Sequence, residues 1–190
     1  LDLHFEISVS DISETELPQE FHLDYLQRVC RAKAESGKVR WLEQYGSLDK
    51  AKNLVFLSSD TIVVADEKIL HKPESKQEAI RILSYLSGRE HSVFSGLGLL
   101  SKNSGADWVW NWTYEETRVL FQAWTMDEIM EYIERANPLD KAGAYGIQDI
   151  EGPVQKWIGS YHNVLGFPIR SFFGFYPYWM NSLNGYRERI

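Results

Sequence analysis

Cysteine is almost missing: Cys30 stands alone in 190 residues. No internal disulfide can form, and the usage suits a reducing compartment, so a cytoplasmic protein is expected. Long apolar runs are missing too. None approaches the roughly 20 residues that span a bilayer, and the opening "LDLHFEIS" has neither the basic segment nor the apolar core of a secretory signal. Membrane partners are therefore not expected. Positive charge is scarce: 20 Lys and Arg face 27 Asp and Glu, a net charge of -7. With no basic block to follow a phosphate backbone, nucleic acid is set aside as a partner. A small anionic ligand is not, because a few local lysines or a divalent cation suffice to hold one.

Familiar chemical signatures are absent as well. There is no G-x-x-x-x-G-K-[ST] loop, no G-x-G-x-x-G fingerprint, no H-E-x-x-H and no G-x-S-x-G elbow. Without a cysteine cluster, zinc by standard spacing is out. His91 and His162 remain, but in "GSYHNVLG" Ser160 reads as a helix cap with His162 facing outward.

What is present is a soluble composition, 44% hydrophobic and 25% charged, in one domain over residues 1–190. "HFEISVS" alternates Phe5, Ile7 and Val9 as a half-buried strand does, and an acidic loop, "SDISETELP", follows. Tyr25, Leu26, Val29, Cys30 and Lys33 recur at helical spacing between about 21 and 36. "SGKVRWLEQYGSLDKAKN" then reads as a loop or insertion around a short helix. "NLVFLSSDTIVVAD" gives two β-branched or apolar runs interrupted by Ser-Ser-Asp-Thr, and "ADEKIL" supplies a turn. Ser75 with Glu78 and Thr125 with Glu128 form capping boxes for two helices, the first stopped at Gly88. Between them "HSVFSGLGLLS", "ADWVWNWTY" and "ETRVLFQAW" read as three strands of an antiparallel meander, their tryptophans forming core rather than a base-stacking surface. "VQKWIGSYHNVLGFPI" reads as a strand turning into a helix, and "SFFGFYPYWMNSLNGY" as an aromatic tail, core or interface. The fold class is α/β, a mixed and partly antiparallel sheet with flanking helices.

Charges in awkward places mark the candidate chemistry. Asp60 interrupts an apolar strand, where an unpaired buried carboxylate is costly, so it is paired, metal-bound or set in a cleft. Lys33 shares the inner helix face with Leu26 and Val29. Lys72 precedes Pro73 and is thereby held extended. Glu14 lies in the acidic loop, and Asp140 and Lys141 stand before the small-residue run Ala142–Gly146. Each alone is a solvated or bridging charge. Together they supply lysines that neutralise phosphate oxygens and carboxylates that hold a divalent cation or activate water.

Five stretches in order, "SSDTIVV", "ILHKP", "LSGREHSVFSGLGLL", "NPLDKAGAYGIQ" and "GSYHNVLGFPI", resemble the motif series of the Maf proteins. These are nucleoside triphosphate pyrophosphatases with an inosine-triphosphatase-like, two-lobed fold around a central cleft. The resemblance implies that Asp60 is the catalytic carboxylate, a general base or a ligand of Mg²⁺ or Mn²⁺, with Glu14 helping to hold the metal. It further implies that Lys33 and Lys72 neutralise the phosphates, and that Thr61 and Gln148 help choose the base, as in the dTTP- and UTP-preferring branch. Asp140 and Lys141 belong to the same substrate-binding set, and a homodimer is implied. On that reading Ala142–Gly146 form a cleft wall against which base and sugar pack, since small residues admit close approach.

Three departures are visible, one of them the short insertion "RWLEQYGSLDKAK". His71 stands where the family has glycine in its Gly-Lys-Pro motif. A phosphate-gripping S-x-S-P-R-R segment precedes "HFEIS" in the family and not in this sequence, which starts at Leu1. The expectation is that the natural chain carries roughly twenty further residues with that Ser- and Arg-containing loop, since triphosphate sites recruit bidentate arginine. Two other readings stay open: an inactive nucleotide- or partner-binding relative, and a purine housekeeper if Gln148 faces away from the base.

Overall fold

The computed structural model describes residues 5–46, 54–102 and 107–175. In chain order these form α1 (His22–Tyr45), β1 (Val55–Ala65), β2 (Lys68–Leu70), α2 (Lys76–Leu86), β3 (Glu90–Lys102), β4 (Trp108–Phe121), α3 (Met126–Ala136), two 3-10 turns (Pro138–Asp140 and Ala142–Ala144), β5 (Val154–Ile158), α4 (Tyr161–Val164) and α5 (Ile169–Gly174). The strands make one five-stranded sheet in the order β2-β1-β3-β4-β5, and every described pairing is antiparallel. The mixed α/β class stands. Among the described residues no helix is long and apolar enough to cross a membrane.

Strand alternation divides the protein into two packed faces. From β1, Ile62 and Val64 join Phe94 of β3 beneath Tyr25, Leu26, Val29 and Cys30 of α1. From the same strands Val63, Ala65 and Val93, with Val119 of β4, point the other way, against Leu83 and Leu86 of α2 and Ile129 and Ile133 of α3. The tryptophans of β4 serve the α1 face: Trp110 and Trp112 pack on that cluster. Glycines in β3 make room for them. A Cβ on Gly98 would lie 2.0 Å from Trp110, and one on Gly96 would lie 2.9 Å from Cys30 Sγ and 3.0 Å from both Leu26 and Trp112. At Gly96 the sheet is bare, so α1 settles directly on its backbone.

The structure corrects four expectations. Residues 5–9 form no strand: Phe5, Ile7 and Val9 are 79%, 86% and 75% exposed. Alternation makes a strand only where a neighbour completes the ladder, and β2 and β5 are the edge strands of this sheet. The first helix does not stop near Ser36. It runs 24 residues to Tyr45, through Gly37, and ends where Gly46 (φ 74°) returns its N–H to Leu42. A glycine within a helix costs about 1 kcal/mol, which long flanking turns absorb; residues 47–53 of that stretch lie outside the described residues. The Ser-Ser-Asp-Thr run does not break β1, because polar side chains in it have partners: Ser58 Oγ donates to Cys30 O (2.7 Å) and Ser59 Oγ to Gly96 O (2.8 Å). Lastly, the meander expected as three strands is two, β3 paired to β4 without a break from Glu90↔Leu120 to Lys102↔Trp108. Of the aromatic tail, Ser171–Phe175 lie in and just after α5, and the rest is outside the described residues.

The helix starts behave as read, with one shift. Thr125 and Glu128 close a reciprocal capping box. Ser75 accepts from Glu78 N, but the Glu78 carboxylate reaches past it to Glu74 N (2.7 Å). His91 is no catalyst. It is buried edge-on against Phe121 and Tyr145, with Nε2 2.9 Å from the Tyr145 hydroxyl.

Burial pushes the His91 imidazole down to about 4 from 6.5. Between those values the unfolded chain holds the proton and the folded one does not, so stability is complete above about pH 6.5 and falls as pH drops toward 4. The full displacement corresponds to about 3 kcal/mol. Denaturant unfolding at pH 7.5 and 4.5 is expected to show a steeper loss for the native protein than for His91→Leu, which carries a constant deficit from the orphaned Tyr145 hydroxyl. Parallel pH slopes would place the acid sensitivity elsewhere.

Candidate active site

β2 is only three residues long and pairs with β1 at Val63↔Leu70, Val64↔Ile69 and Ala65↔Lys68. The chain then turns away at His71, Lys72 and Pro73, and proline cannot extend a ladder. The outer edge of β1 is thus left open beside Asp60, Thr61 and Ile62. There a cavity of about 200 Å³ opens, lined by those residues with Glu14, Tyr25, His71, Lys72 and Ala142 among others. Alternation sends Asp60 and Thr61 to opposite faces of the sheet, so the cavity straddles the edge.

On the α1 face, one ammonium holds two carboxylates. Lys33 Nζ lies 2.5 Å from Asp60 Oδ1 and 2.8 Å from Glu14 Oε1. Lys33 stands one turn beyond Val29 and Cys30, and Asp60 is paired with Gly96 across the ladder. The bare backbone that lets α1 approach there also brings the two charges together. Burial raises the proton affinity of Asp60, and nearby Glu14 adds to it; the charge and hydrogen bond of Lys33 and the charge of Lys72 oppose, without cancelling. Burial pulls Lys33 down, yet the attraction of Asp60 and Glu14 leaves its pKa raised. Lys33 is therefore a fixed cation, and Asp60 a carboxylate with an appetite for a proton or a second cation.

Glu14 is placed by an acidic loop with no regular structure, strapped to α1 by side chains. Tyr25 donates to Glu14 O (2.8 Å), and Arg28 donates to Thr15 O (3.0 Å). Arg28 also grips Glu20 at 2.6 and 2.7 Å, and His71 Nε2 meets Glu16 Oε1 at 2.5 Å. Burial, then the charges of Asp60 and Glu14, push the Tyr25 hydroxyl up to about 12, so it remains a donor.

On the opposite face, Thr61 Oγ1 lies 2.7 Å from Ser95 Oγ, its partner across β1 and β3. Ser95 Oγ in turn donates to the carbonyl of Asn163 (2.6 Å). Asn163 is fully buried in α4. Its side chain accepts from Ser95 N (3.1 Å) and donates to Val93 O and Thr117 Oγ1, both at 3.0 Å. The small-residue wall also lies on this face. Gly143 (φ 69°) presses on Val63, where a Cβ would sit 3.0 Å from both methyls, and its N–H reaches His71 O at 3.4 Å.

Of the residues singled out from sequence, Lys33 is in contact with both Asp60 and Glu14. Thr61 and Lys72 share the cavity lining with Asp60 and Glu14. Lys72 makes no ion pair among the described residues, and its charge is felt by both Asp60 and Asp140. Asp140 and Lys141 sit at the end of the first 3-10 turn and pair with each other at 2.8 Å. Gln148 is exposed on the turn closed by Asp149 N to Gly146 O (3.2 Å), outside the cavity lining. His162 is exposed, as read. Sequence reading missed Tyr25 and His71 as wall residues and the Ser95–Asn163 pair altogether. The motifs containing Ser95 and Asn163 were visible, but nothing in one dimension says that Ser95 faces Thr61.

Among the described residues no group of three His, Cys, Asp or Glu side chains stands ready for a metal. The donor set nonetheless fits one kind of cation. The two carboxylates converge on the Lys33 ammonium, which engages Oδ1 of Asp60 and Oε1 of Glu14, so a cation would be taken up on their remaining oxygens. Such a site suits a divalent ion that arrives with phosphate oxygens and water completing its shell.

A family model for Maf-like proteins matches residues 1–175. A dTTP/UTP pyrophosphatase of Leptospira biflexa serovar Patoc (strain Patoc 1 / Ames) is 46% identical over 191 residues, 100% of this chain and 90% of the relative. A dTTP/UTP pyrophosphatase of Leptospira interrogans serogroup Icterohaemorrhagiae serovar Lai (strain 56601) is 42% identical over 185 residues, 97% of this chain and 89% of the relative. Another, from Clostridium botulinum (strain Eklund 17B / Type B), is 38% identical over 175 residues, with 87% and 83% covered.

The ion-pair geometry makes a prediction of its own. Lys33→Met leaves Glu14 and Asp60 facing each other and raises the proton affinity of Asp60 further above its unfolded value. The folded variant then holds a proton that the unfolded chain releases, so its stability falls as pH rises through the carboxylate range. Denaturant unfolding at pH 8 is expected to show a deficit of about 2 kcal/mol. The deficit shrinks at pH 5, and Asp60→Asn in the same chain largely removes it. A deficit equal at both pH values would mean that Lys33 acts by packing alone.

Proposed function

This chain belongs to the Maf-like protein family, and we propose that it hydrolyses a nucleoside triphosphate, dTTP or UTP by preference, to the monophosphate and pyrophosphate. The observation that carries the reading is the Lys33 ammonium clasped by Glu14 and Asp60 on a cavity that also holds Lys72. The curated relatives carry that activity in their names, and the pyrimidine preference is taken from them.

In this reading the α-phosphate sits before Asp60. Water attacks the α-phosphorus, a P–O bond to the bridging oxygen breaks, and pyrophosphate leaves. Asp60 takes the proton of the attacking water, a role favoured by the raised proton affinity that burial confers. Lys72, exposed at the rim, meets the negative charge of the phosphates as a point charge. Lys33 keeps Asp60 and Glu14 in register through the step. Asp60 and Glu14 are the residues that would hold a divalent cation, Mg²⁺ or Mn²⁺, which when bound would supply positive charge to the phosphates. Thr61 and the wall at Ala142 receive the nucleoside, with Lys141 and Asp140 beside it. Gln148 stands at the outer end of the wall, where its amide reaches a base edge only from the solvent side.

Pyrophosphate release over a nucleotide panel is the direct measurement. UTP and dTTP are expected to exceed GTP and ITP in kcat/KM, and Asp60→Asn to lose about 10²-fold or more in kcat with its fold intact. Full turnover in Asp60→Asn would make that residue structural. Because Thr61 lines the cavity and Gln148 does not, Thr61→Val is expected to change the ranking of bases more than Gln148→Leu. The reverse order would mean that the Gly146–Asp149 turn closes over the base.

A further inference from the structure

Hydrogen-bond polarity runs one way through the face of the site that meets the nucleoside. The Asn163 carbonyl is an acceptor only, so at 2.6 Å the Ser95 hydroxyl must give its single proton to it. Ser95 Oγ then has only lone pairs left for Thr61. At 2.7 Å the Thr61 hydroxyl must therefore donate to Ser95, because two bare oxygens at that distance repel. The proton of Thr61 is spent inward, and what Thr61 offers the cavity is an acceptor.

The chain cannot readily reverse. Ser95 is fully buried in β3. Asn163 is fixed by its bonds to Ser95 N, Val93 O and Thr117 Oγ1, and Thr117 Oγ1 is itself committed to Ser160 O (3.1 Å). A threonine hydroxyl is ordinarily indifferent, donor or acceptor as the ligand requires. This one has been made single-valued by residues that touch no ligand.

We propose that Ser95, anchored on Asn163, is a positioning residue for base selection. It restricts Thr61 to accepting, so the site favours a pyrimidine that presents a ring N–H, as uracil and thymine do, over one that presents a bare ring nitrogen, as cytosine does. The proposal rests on the nucleotide reading of this cavity, and it goes further by saying which atom of the base is read and what sets the polarity. A site that fixes one hydrogen-bond role leaves a buried lone pair against a lone pair when the wrong base enters, and that mismatch discriminates better than shape does.

The test uses the full chain and compares kcat/KM for UTP, CTP and 3-methyl-UTP, whose ring nitrogen carries no proton, in the native protein, Ser95→Ala and Thr61→Val. Native protein is expected to favour UTP over both others by about tenfold or more. In Ser95→Ala the Asn163 carbonyl still receives Gly166 N–H at 3.0 Å, while Thr61 is released to turn its proton toward the cavity. The UTP/CTP ratio is expected to fall about tenfold, chiefly through a gain on CTP. A simple packing defect would instead lower all three nucleotides together, and that result, or an unchanged ratio, overturns the proposal. If Ser95→Ala fails to fold by circular dichroism, Thr61→Val decides: it keeps the shape but offers no acceptor, and retention of the native ratio overturns the proposal. Calorimetric affinities of UMP and CMP for the same proteins separate this from the catalytic reading. Absence of pyrophosphate release from every nucleotide would sink the pyrophosphatase alone, while the UMP/CMP comparison still decides the role of Ser95.

Discussion

Everything at the site depends on placing the carboxylate of Asp60 inside a strand without letting it go unpaired. An isolated charge there would cost several kcal/mol. The chain meets that cost with Lys33, delivered by a helix that settles on the sheet at Gly96 because no Cβ stands in the way. Replace that glycine in thought by alanine, and the added atom meets Cys30 at 2.9 Å and Leu26 at 3.0 Å. The helix would rise, and the 2.5 Å contact between Lys33 and Asp60 would lengthen with it. A packing decision on β3 thus fixes an electrostatic distance on β1. The match is incomplete, since burial still outweighs the lysine at Asp60. That residual imbalance is what a proton acceptor or cation ligand needs.

The second constraint is the open edge. An unpaired strand edge invites aggregation and is usually covered or broken. Here the early exit of β2 at Lys72-Pro73 leaves part of β1 uncovered, and two irregular segments flank the gap. On one side stands the acidic loop strapped by Tyr25, Arg28 and His71. On the other stand the 3-10 turns and α4. Because strand side chains alternate, Asp60 and Thr61 line the same cavity from opposite faces of β1. A helix could not set adjacent residues apart so sharply.

Much of this was legible in the sequence where a local rule applied. The capping residues Ser75, Thr125 and Ser160 sit where their spacing placed them, and Asp60 and Lys33 were conspicuous as charges at apolar-patterned positions. The misreadings share one physical cause, that pairing and burial are decided by distant segments. Phe5, Ile7 and Val9 alternate well but pair with no strand among the described residues. The Ser-Ser-Asp-Thr run interrupts the apolar pattern of β1, and only the fold shows that Cys30, Gly96, Lys33 and Ser95 supply its partners. Gln148 shows a different limit of local reading. Its place in a motif pointed to the base, yet the turn that carries it is held outside the cavity lining, by Asp149 bonded to Tyr132 (2.5 Å) and to Gly146 N (3.0 Å).

That turn also explains why the segment needs residues as small as Ala142, Gly143 and Ala144. Ala144 is fully buried with φ 60°, a left-handed conformation that costs an L-residue about 1–2 kcal/mol. It persists because the segment is fixed on both sides. Before it, Gly143 lies against Val63. After it, Tyr145 is locked edge-on into Phe121 with its hydroxyl on His91, and Gly146 N is held by Asp149 and Tyr132. With anchors this close together the backbone has no slack to bulge, and any larger side chain would enter either the α2–α3 core or the cavity. Of this segment only Ala142 lines the cavity, and Gly143 to Gly146 are buried behind it. A methyl group such as that of Ala142 carries no hydrogen-bond preference, so on this face of the cavity a polar preference falls to Thr61.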